Sequence, residues 1–138
     1  MSYLLDTNIV SELRKPEPDV TLLAWYETVR PLDLYLSVIT IGEIRRGVER
    51  LRRRDSLQAA RLEGWLTGLH VTYRSRIVEI DATIAETWGR INVDPLPAVD
   101  GLLAASAIVR DWTLVTRDVR AVKRCGVRLL NLFEPRTA

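Results

Sequence analysis

Short apolar runs alternate with segments of helical spacing along the chain, and this alternation constrains the fold more than any other feature. Five runs have the length and the aliphatic content of buried strands: residues 3–5, 34–38, 77–80, 113–115 and 128–132. Strands that are separated by helices usually lie parallel, because each crossover returns the chain to the same end of the sheet. The pattern predicts an α/β fold with a central, mostly parallel five-stranded sheet flanked by helices on both faces.

Helix signals fill the gaps between the predicted strands. Helices are expected over residues 8–14 and 20–29, which end before Pro16 and Pro31. They are also expected over residues 40–53, 56–70 and 98–110, where apolar residues recur at helical spacing. Asp81 is placed to cap a further helix that runs to about residue 91. No repeat or linker divides the chain, so residues 1–138 are expected to form one domain.

Composition excludes several classes of protein. No apolar stretch approaches the roughly 20 residues of a membrane helix, and Asp6 interrupts the first apolar run too early for a secretory signal. The single cysteine, Cys125, rules out an internal disulfide, and with the single histidine, His70, it also rules out a zinc cluster. We therefore expect a cytoplasmic protein without a membrane partner.

Four acidic side chains are predicted near the ends of these strands. Asp6 directly follows the first strand, and Asp118 closes the TLVTRD segment that contains the fourth. Glu43 lies just inside the helix that follows the second strand, and Asp100 lies in the first turn of the alanine-rich helix 98–110. Ligands of parallel sheets bind outside the carboxyl ends of the strands. If the strands concerned are neighbours, the four carboxylates converge on one edge of the sheet.

Each of these acids also has a purely structural explanation. Asp6 could cap the helix 8–14, and Glu43 could be an ordinary solvated helix residue. Asp100 could interact favourably with the dipole of its helix, and Asp118 could shape a turn. Four carboxylates at one edge, with no matching lysines nearby, would nevertheless repel one another. Such a cluster favours a bound cation, and hard oxygen ligands suit Mg²⁺ or Mn²⁺.

Four blocks of sequence carry a family resemblance: LLDTNIVSELRKP, LSVITIGEIRRGVERL, PAVDGLLAASAIVRDWTLVTRD and VRAVKRCGVRLLNLFEP. With these blocks, the chain resembles the PIN-domain ribonucleases, specifically the toxins of VapBC-type toxin–antitoxin pairs, and most closely their FitB-like branch. The resemblance implies a single PIN-like domain whose catalytic and metal-binding acids are Asp6, Glu43, Asp100 and Asp118. The positions that it implies as supports of the acids, the metal or the phosphate are Thr7, Asn8 and Thr116, with Ser37 and Thr40 as structural supports.

The activity that the resemblance implies is that of a metal-dependent endoribonuclease. It would hydrolyse RNA phosphodiester bonds, in single-stranded or loop RNA, at a carboxylate-bound Mg²⁺ or Mn²⁺ site. The implied partners are a cognate antitoxin, itself DNA-binding, and a second copy of the chain, so a homodimer and a hetero-oligomer with the antitoxin are expected. The alternative is a non-catalytic PIN-like binding module that acts through its protein partner.

Two other phosphate-handling folds fit the residues less well. A phosphatase of the haloacid dehalogenase type needs a second aspartate two residues after the first, where this chain has Asn8. A response-regulator receiver would match Asp81 at the end of the third strand, but the acidic pair that it needs on its first loop is absent from the sequence.

An arginine-rich segment, RRGVERLRRR, follows Glu43 on the same predicted helix. Arg46, Arg50 and Arg54 share one stripe and could guide RNA phosphates towards the acids. They could equally form a solvated face paired with Glu49 and Asp55, or a surface for an acidic patch on a partner. The sequence leaves these three interpretations open.

Overall fold

The structure, a computed structural model, describes residues 1–133, which contain five strands and six helices. Two helices follow each of the first three strands, and only a 3₁₀ turn separates the last two strands. The strands are β1 (Tyr3–Leu5), β2 (Leu34–Ser37), β3 (Ile77–Val78), β4 (Thr113–Val115) and β5 (Leu129–Leu130). The helices are α1 (Thr7–Arg14), α2 (Val20–Thr28), α3 (Val38–Arg52), α4 (Ser56–Thr72), α5 (Ala82–Ile91) and α6 (Ala98–Arg110). Single 3₁₀ turns cover Pro31–Asp33 and Lys123–Cys125.

The five strands form one sheet in the order β3-β2-β1-β4-β5, and every described pair is parallel. In the centre, Tyr3 of β1 lies opposite Leu34 of β2 on one side and Thr113 of β4 on the other. The predicted α/β fold with helices on both faces is therefore confirmed. The central position of β1 places the residue that follows it, Asp6, in the middle of the carboxyl edge of the sheet.

The two faces of β1 lie against different helical layers. Leu5 packs with side chains from α1, α2, α3 and α4, whereas Leu4 packs against α6, and both leucines are fully buried. On α6, Ala104, Ala105 and Ala107 are also fully buried. Because these side chains are small, the helix can approach the sheet closely, and its first turn comes near the carboxyl edge of the strands.

The predicted boundaries agree with the observed ones to within about two residues, a normal margin for helix ends. The third helix begins two residues earlier than expected, because the Ser37 hydroxyl caps it by accepting a hydrogen bond from the Ile39 amide at 3.0 Å. The outer strands are shorter than predicted, and each has only two paired residues. Each of them pairs with a neighbour on one side only.

Residues 134–138, which close the predicted domain and the last of the four sequence blocks, lie outside the described residues. Within residues 1–133, no helix combines the length and the apolar character that crossing a membrane would require.

Candidate active site

Asp6 uses its main chain and its side chain for different purposes. Its carbonyl oxygen starts α1 by accepting hydrogen bonds from the amides of Ile9 and Val10. Its side chain does not cap the helix. Instead, the carboxylate, only 5% exposed, accepts a hydrogen bond from the Thr116 hydroxyl at 2.7 Å from Oδ2. The side chain thus belongs mainly to the edge between β1 and β4, and its interaction with the start of α1 is limited to the amides of Thr7 and Asn8.

Glu43 is held by the first turn of α1. Its Oε1 accepts a hydrogen bond from the Thr7 hydroxyl, with an oxygen–oxygen distance of 2.5 Å. The same Thr7 oxygen lies 3.1 Å from the hydroxyl of Thr40, which is fully buried. A hydroxyl has one proton to donate, so Thr7 donates to Glu43 and is free to accept a proton from Thr40. This chain of contacts fixes Glu43 of α3 relative to the residue that follows Asp6.

The pKa of Asp100 is affected by burial and by the charges of the other three acids. Asp100 lies half-buried in the first turn of α6, and burial is the main reason that its pKa is raised. The negative charges of Asp6, Asp118 and Glu43 raise the pKa of Asp100 further. Because the interaction between charges weakens with distance, this coupling shows that the four predicted acids share one region of the fold.

The pKa of Asp6 is also raised. Burial is again the largest cause, and the charge of Glu43 adds to it. The Thr116 hydroxyl and the amides of Thr7 and Asn8 act in the opposite direction and lower the pKa, but they do not cancel the effect of burial. Two carboxyl groups with raised pKa values in one cluster mean that the fully ionised cluster carries an electrostatic cost.

The supporting residues divide into two groups. Thr7 and Thr116 contact acids directly, and Thr116 also accepts a hydrogen bond from the amide of Asp118 at 3.1 Å. The exposed side chain of Asn8 makes no hydrogen bond with the side chains of residues 1–133 and lines a cavity beside the site. Asp118 itself is exposed, which leaves its carboxylate accessible from solvent.

A contact behind Asp100 was not anticipated from the sequence. A Cβ atom on Gly101 would lie only 3.2 Å from Nε1 of Trp88, so the glycine lets the indole of α5 pack closely against the start of α6. This contact helps to set the position of the first turn of α6, and therefore of Asp100. A helix glycine directly after a candidate acid is the only sequence signal that could have indicated it.

The donor set fits a hard divalent cation that keeps part of its water shell. Within residues 1–133, no group of three or more Asp, Glu, His or Cys side chains is arranged so that it could hold a metal ion. Mg²⁺ is commonly held by one or two carboxylates and completes its coordination with water, so a closed protein cage is not required. The carboxylates that could hold such an ion are Asp6, Glu43, Asp100 and Asp118. A cation there would relieve the repulsion that raises the pKa of Asp100.

Only some of the arginines in the arginine-rich segment form ion pairs within residues 1–133. Arg45 and Arg52, which are not in the predicted stripe, both bind Glu49 of the same helix and Glu63 of α4. These pairs connect α3 to α4 along their exposed sides. Glu49 is therefore already engaged by arginines other than those of the stripe.

The three arginines of the predicted stripe remain exposed. Arg46 lies 4.0 Å from Glu43, while Arg50 and Arg54 form no ion pair with a described residue. Asp55 instead caps α4 by accepting a hydrogen bond from the Gln58 amide at 3.1 Å. Within residues 1–133, the three arginines are solvated but lack the pairing with Glu49 and Asp55 that one of the three interpretations included. The roles in RNA or partner binding stay predictions.

Comparison with known proteins identifies the family to which this fold and site correspond. The family model described as "PIN domain" matches residues 3–126. The chain is 30% identical to VapC ribonuclease Y4jK of Sinorhizobium fredii over 140 residues, covering 96% of this chain and 98% of that protein. It is 32% identical to toxin FitB of Neisseria gonorrhoeae over 136 residues, covering 93% of this chain and 96% of the relative.

A solved structure gives the same result in three dimensions. The structure of FitAB bound to an IR36 DNA fragment contains a chain that superimposes on this one with a TM-score of 0.82. The two chains are 29% identical, and the match covers 98% of each. The similarity therefore extends over almost the whole fold, including all the elements that carry the four acids.

Proposed function

The chain belongs to the PIN-domain family, and on that premise we propose that it is a metal-dependent endoribonuclease, the toxin of a toxin–antitoxin pair. The observation that carries the proposal is the hydrogen-bond network at the carboxyl edge of the sheet, in which Thr116 contacts both Asp6 and the amide of Asp118, and Thr7 contacts Glu43. The negative charges of these three acids raise the pKa of Asp100 in the first turn of α6. Two relatives, VapC ribonuclease Y4jK and toxin FitB, support the same reaction and the same biological role.

In the proposed reaction, the acids act mainly as ligands and their neighbours keep them in position. Bound Mg²⁺ or Mn²⁺ supplies charge stabilisation for the phosphodiester and lowers the pKa of a water molecule. Thr116 orients Asp6 through its 2.7 Å hydrogen bond, and Thr7 orients Glu43. The exposed Asp118 is the acid most accessible to an attacking water and can accept a hydrogen bond from it.

The proposed substrate is single-stranded or loop RNA. The site lies at an open edge of the sheet, with Asp118 exposed and the long side chain of Arg46 in solvent beside Glu43. An unpaired strand can present its phosphodiester to such an edge, whereas the stacked bases and paired backbone of a duplex would hold the phosphate away.

An antitoxin is the proposed partner, and the structure offers a groove for it. A cavity of about 240 Å³ between α1, α2 and α4 is lined largely by apolar side chains, among them Leu13, Leu23 and Trp65. An amphipathic segment of an antitoxin could bury apolar residues there, next to the helix that follows Asp6. The DNA-bound FitAB structure supports a DNA-binding antitoxin. A homodimer, a hetero-oligomer with the antitoxin and a cytoplasmic location complete the proposal.

The experiment that tests this function is incubation of the purified chain with RNA. We expect cleavage of an unpaired or hairpin-loop RNA in Mg²⁺ or Mn²⁺, little cleavage of a duplex of the same sequence, and none in EDTA. Products are read on a denaturing gel, and added antitoxin should suppress them. Equal cleavage in EDTA would contradict the metal site. Tight antitoxin binding without cleavage of any RNA would instead favour the non-catalytic binding module.

The hydrogen bond between Thr116 and Asp6 gives a more specific prediction. Thr116→Val keeps the shape of the side chain but removes the donor, so the pKa of Asp6 should rise and its orientation should loosen. We expect cleavage to fall about tenfold, equivalent to ~1.4 kcal/mol of transition-state stabilisation. Thr116→Ser should retain most activity because it keeps the hydroxyl.

Thr113→Val is the matched control for this prediction. Thr113 is another buried threonine of β4, two residues before its end, and within residues 1–133 its side chain forms no hydrogen bond with the four acids. Its substitution should leave cleavage unchanged. Equal rates for the Thr116→Val and Thr113→Val proteins would show that the hydroxyl of Thr116 does not matter for the reaction.

A further inference from the structure

A second cavity is lined by residues that neighbour two of the acids in sequence, and it has a different chemical character. Its volume is about 320 Å³, within the range of roughly 300–1,000 Å³ that is typical of small-ligand sites. The chain positions connect it directly to the acids, because Asn8 follows Asp6 by two residues and Arg117 lies between Thr116 and Asp118. The residues that line it are Asn8, Ser11, Glu12, Lys15, Arg117 and Phe133.

The lining of this cavity is positively charged overall. Lys15 and Arg117 supply two positive charges, and Glu12 supplies one negative charge. Glu12 is already engaged: one carboxylate oxygen accepts a hydrogen bond from Lys15 at 2.9 Å, and the other accepts one from the Asp19 amide at 3.0 Å. The Lys15 side chain is 61% exposed, so its ammonium group keeps donors for a ligand.

Arg117 is held in place by stacking. Its guanidinium carbon lies 4.6 Å from the centre of the Phe133 ring, and its carbonyl oxygen accepts a hydrogen bond from the Asn131 side chain at 3.3 Å. Within residues 1–133, Arg117 forms no ion pair. A guanidinium that stacks through its face leaves the N–H groups at its edge available, and these suit phosphate oxygens.

An anionic strand needs such cations near the acid cluster. Four carboxylates at one edge repel a phosphodiester, and the metal offsets only part of that repulsion at the bond to be cut. A cation that flanks the cluster can bind the next phosphate along the strand and so keep the strand in place. Arg117 is suitably located because its sequence neighbours, Thr116 and Asp118, are both part of the site.

We propose that this cavity binds the nucleotide adjacent to the cleaved phosphodiester, with Arg117 and Lys15 contacting its phosphate. Asn8 and Ser11 supply neutral hydrogen-bonding groups for the sugar or the base, and Phe133 offers a ring edge against which the nucleotide packs. The inference rests on the proposed ribonuclease function, but it concerns binding and can be measured without cleavage. The net charge of the lining, one positive unit, matches a single phosphodiester.

The test measures RNA binding in an Asp100→Asn background and without added divalent metal, so that cleavage is expected to be negligible during the measurement. The probe is a fluorescein-labelled, single-stranded 12-nucleotide RNA, and its anisotropy is followed at several salt concentrations. Arg117→Gln and Lys15→Gln should each weaken binding about fivefold at low salt and reduce the salt slope by about 0.7, the value for one lost phosphate contact with a single strand. Arg117→Lys should restore part of the affinity because it keeps the charge.

Arg74→Gln is the matched control, since Arg74 is exposed and lies in the turn before β3, at the opposite edge of the sheet. Its binding and salt slope should equal those of the parent. Equal values for Arg117→Gln, Lys15→Gln and Arg74→Gln would overturn the assignment. It would also be overturned if Arg117→Gln weakened binding of the antitoxin but not of the RNA, because the cavity would then serve the partner protein.

Failure of this inference can be distinguished from failure of the proposed function. A parent chain that cleaves RNA, together with an Arg117→Gln protein that binds RNA normally, would reject the cavity and keep the ribonuclease. A parent chain that cleaves no RNA, together with the expected loss of RNA affinity in Arg117→Gln and Lys15→Gln, would reject the ribonuclease and support the cavity as an RNA site.

Discussion

Asp100→Asn should lower RNA cleavage by at least about 100-fold while leaving the fold intact, a loss of ~2.7 kcal/mol of transition-state stabilisation. Asn keeps the size of the side chain but removes the negative charge of a proposed metal ligand. Asp100 is the acid whose pKa responds to all three of the others, so its charge contributes strongly to the potential that would attract a cation. The measurement is the cleavage rate of a loop RNA at saturating Mn²⁺.

Asp94→Asn is a suitable control for this substitution. Asp94 is exposed in the segment that leads into α6, and among residues 1–133 its backbone carbonyl, but not its carboxylate, accepts a hydrogen bond, from Arg124. The same chemical change at this position should leave the rate within about twofold of the parent, as surface substitutions usually do. Comparable activity of the Asp100→Asn and parent proteins would reject Asp100 as a metal ligand.

Metal binding should have the second large effect, on stability. In Mn²⁺ at about 100 times its dissociation constant, the parent chain should be stabilised by ~2.7 kcal/mol, which corresponds to an increase of about 10 °C in Tm for a chain of this size. The same Asp100→Asn substitution should reduce this gain strongly. Thermal unfolding, followed by circular dichroism with and without Mn²⁺, measures both values.

In Mn²⁺ the parent should be more stable than the Asp100→Asn protein, whereas in EDTA the Asp100→Asn protein should be the more stable of the two. Burial and neighbouring charges raise the pKa of Asp100 above 3.8, so the folded state binds a proton more tightly than the unfolded state. This effect makes folding less favourable as pH rises through the raised pKa, and the full cost is present at pH 7. Asp100→Asn removes that cost, so the metal-free variant should be more stable than the metal-free parent at pH 7. The difference should shrink as pH falls towards 4.

The stability of the parent must be compared with that of the Asp100→Asn protein at each pH, because other acids change stability with pH in the opposite direction to Asp100. Hydrogen bonds from arginines or from Lys15 lower the pKa of Glu12, Glu49 and Glu63, and these contacts are lost in acid. Acid therefore destabilises the whole chain, but it does so equally in both proteins. Two results together would reject a metal site formed by mutually repelling carboxylates. The Tm of the parent would not change with Mn²⁺, and the Asp100→Asn protein would be no more stable than the parent in EDTA.

Asp6 illustrates how far the sequence could be interpreted on its own. The apolar run before it predicted a strand, and the polar residues after it predicted a helix, and both are present. The sequence could not decide whether the carboxylate caps that helix or faces a site. Its hydrogen-bond donor, Thr116, is 110 residues away, and only the pairing of β1 with β4 brings the two together.

The arginine-rich segment illustrates the same limit. Arg46, Arg50 and Arg54 are all exposed, as their spacing indicated, but α3 ends at Arg52, so Arg54 lies in the turn after the helix. The acidic partners that one interpretation gave them are engaged elsewhere. The distribution of ion pairs depends on Glu63 of α4, which lies 18 residues from Arg45 in sequence and beside it in the fold. A charge pattern within one helix contains no information about a neighbouring helix that has not yet been placed.

By itself, the sequence determined the order and nature of the elements, the parallel sheet and the chain positions of the four acids. These properties follow from side-chain periodicity and from capping and turn residues, which act over a few positions. The tertiary structure alone decided that Thr116 contacts Asp6 and that Arg117 stacks on Phe133 beside Lys15 and Asn8. Hydrogen bonds and charge interactions require atoms to be within a few ångströms, and for residues this far apart in sequence that distance is set by how the strands and helices pack.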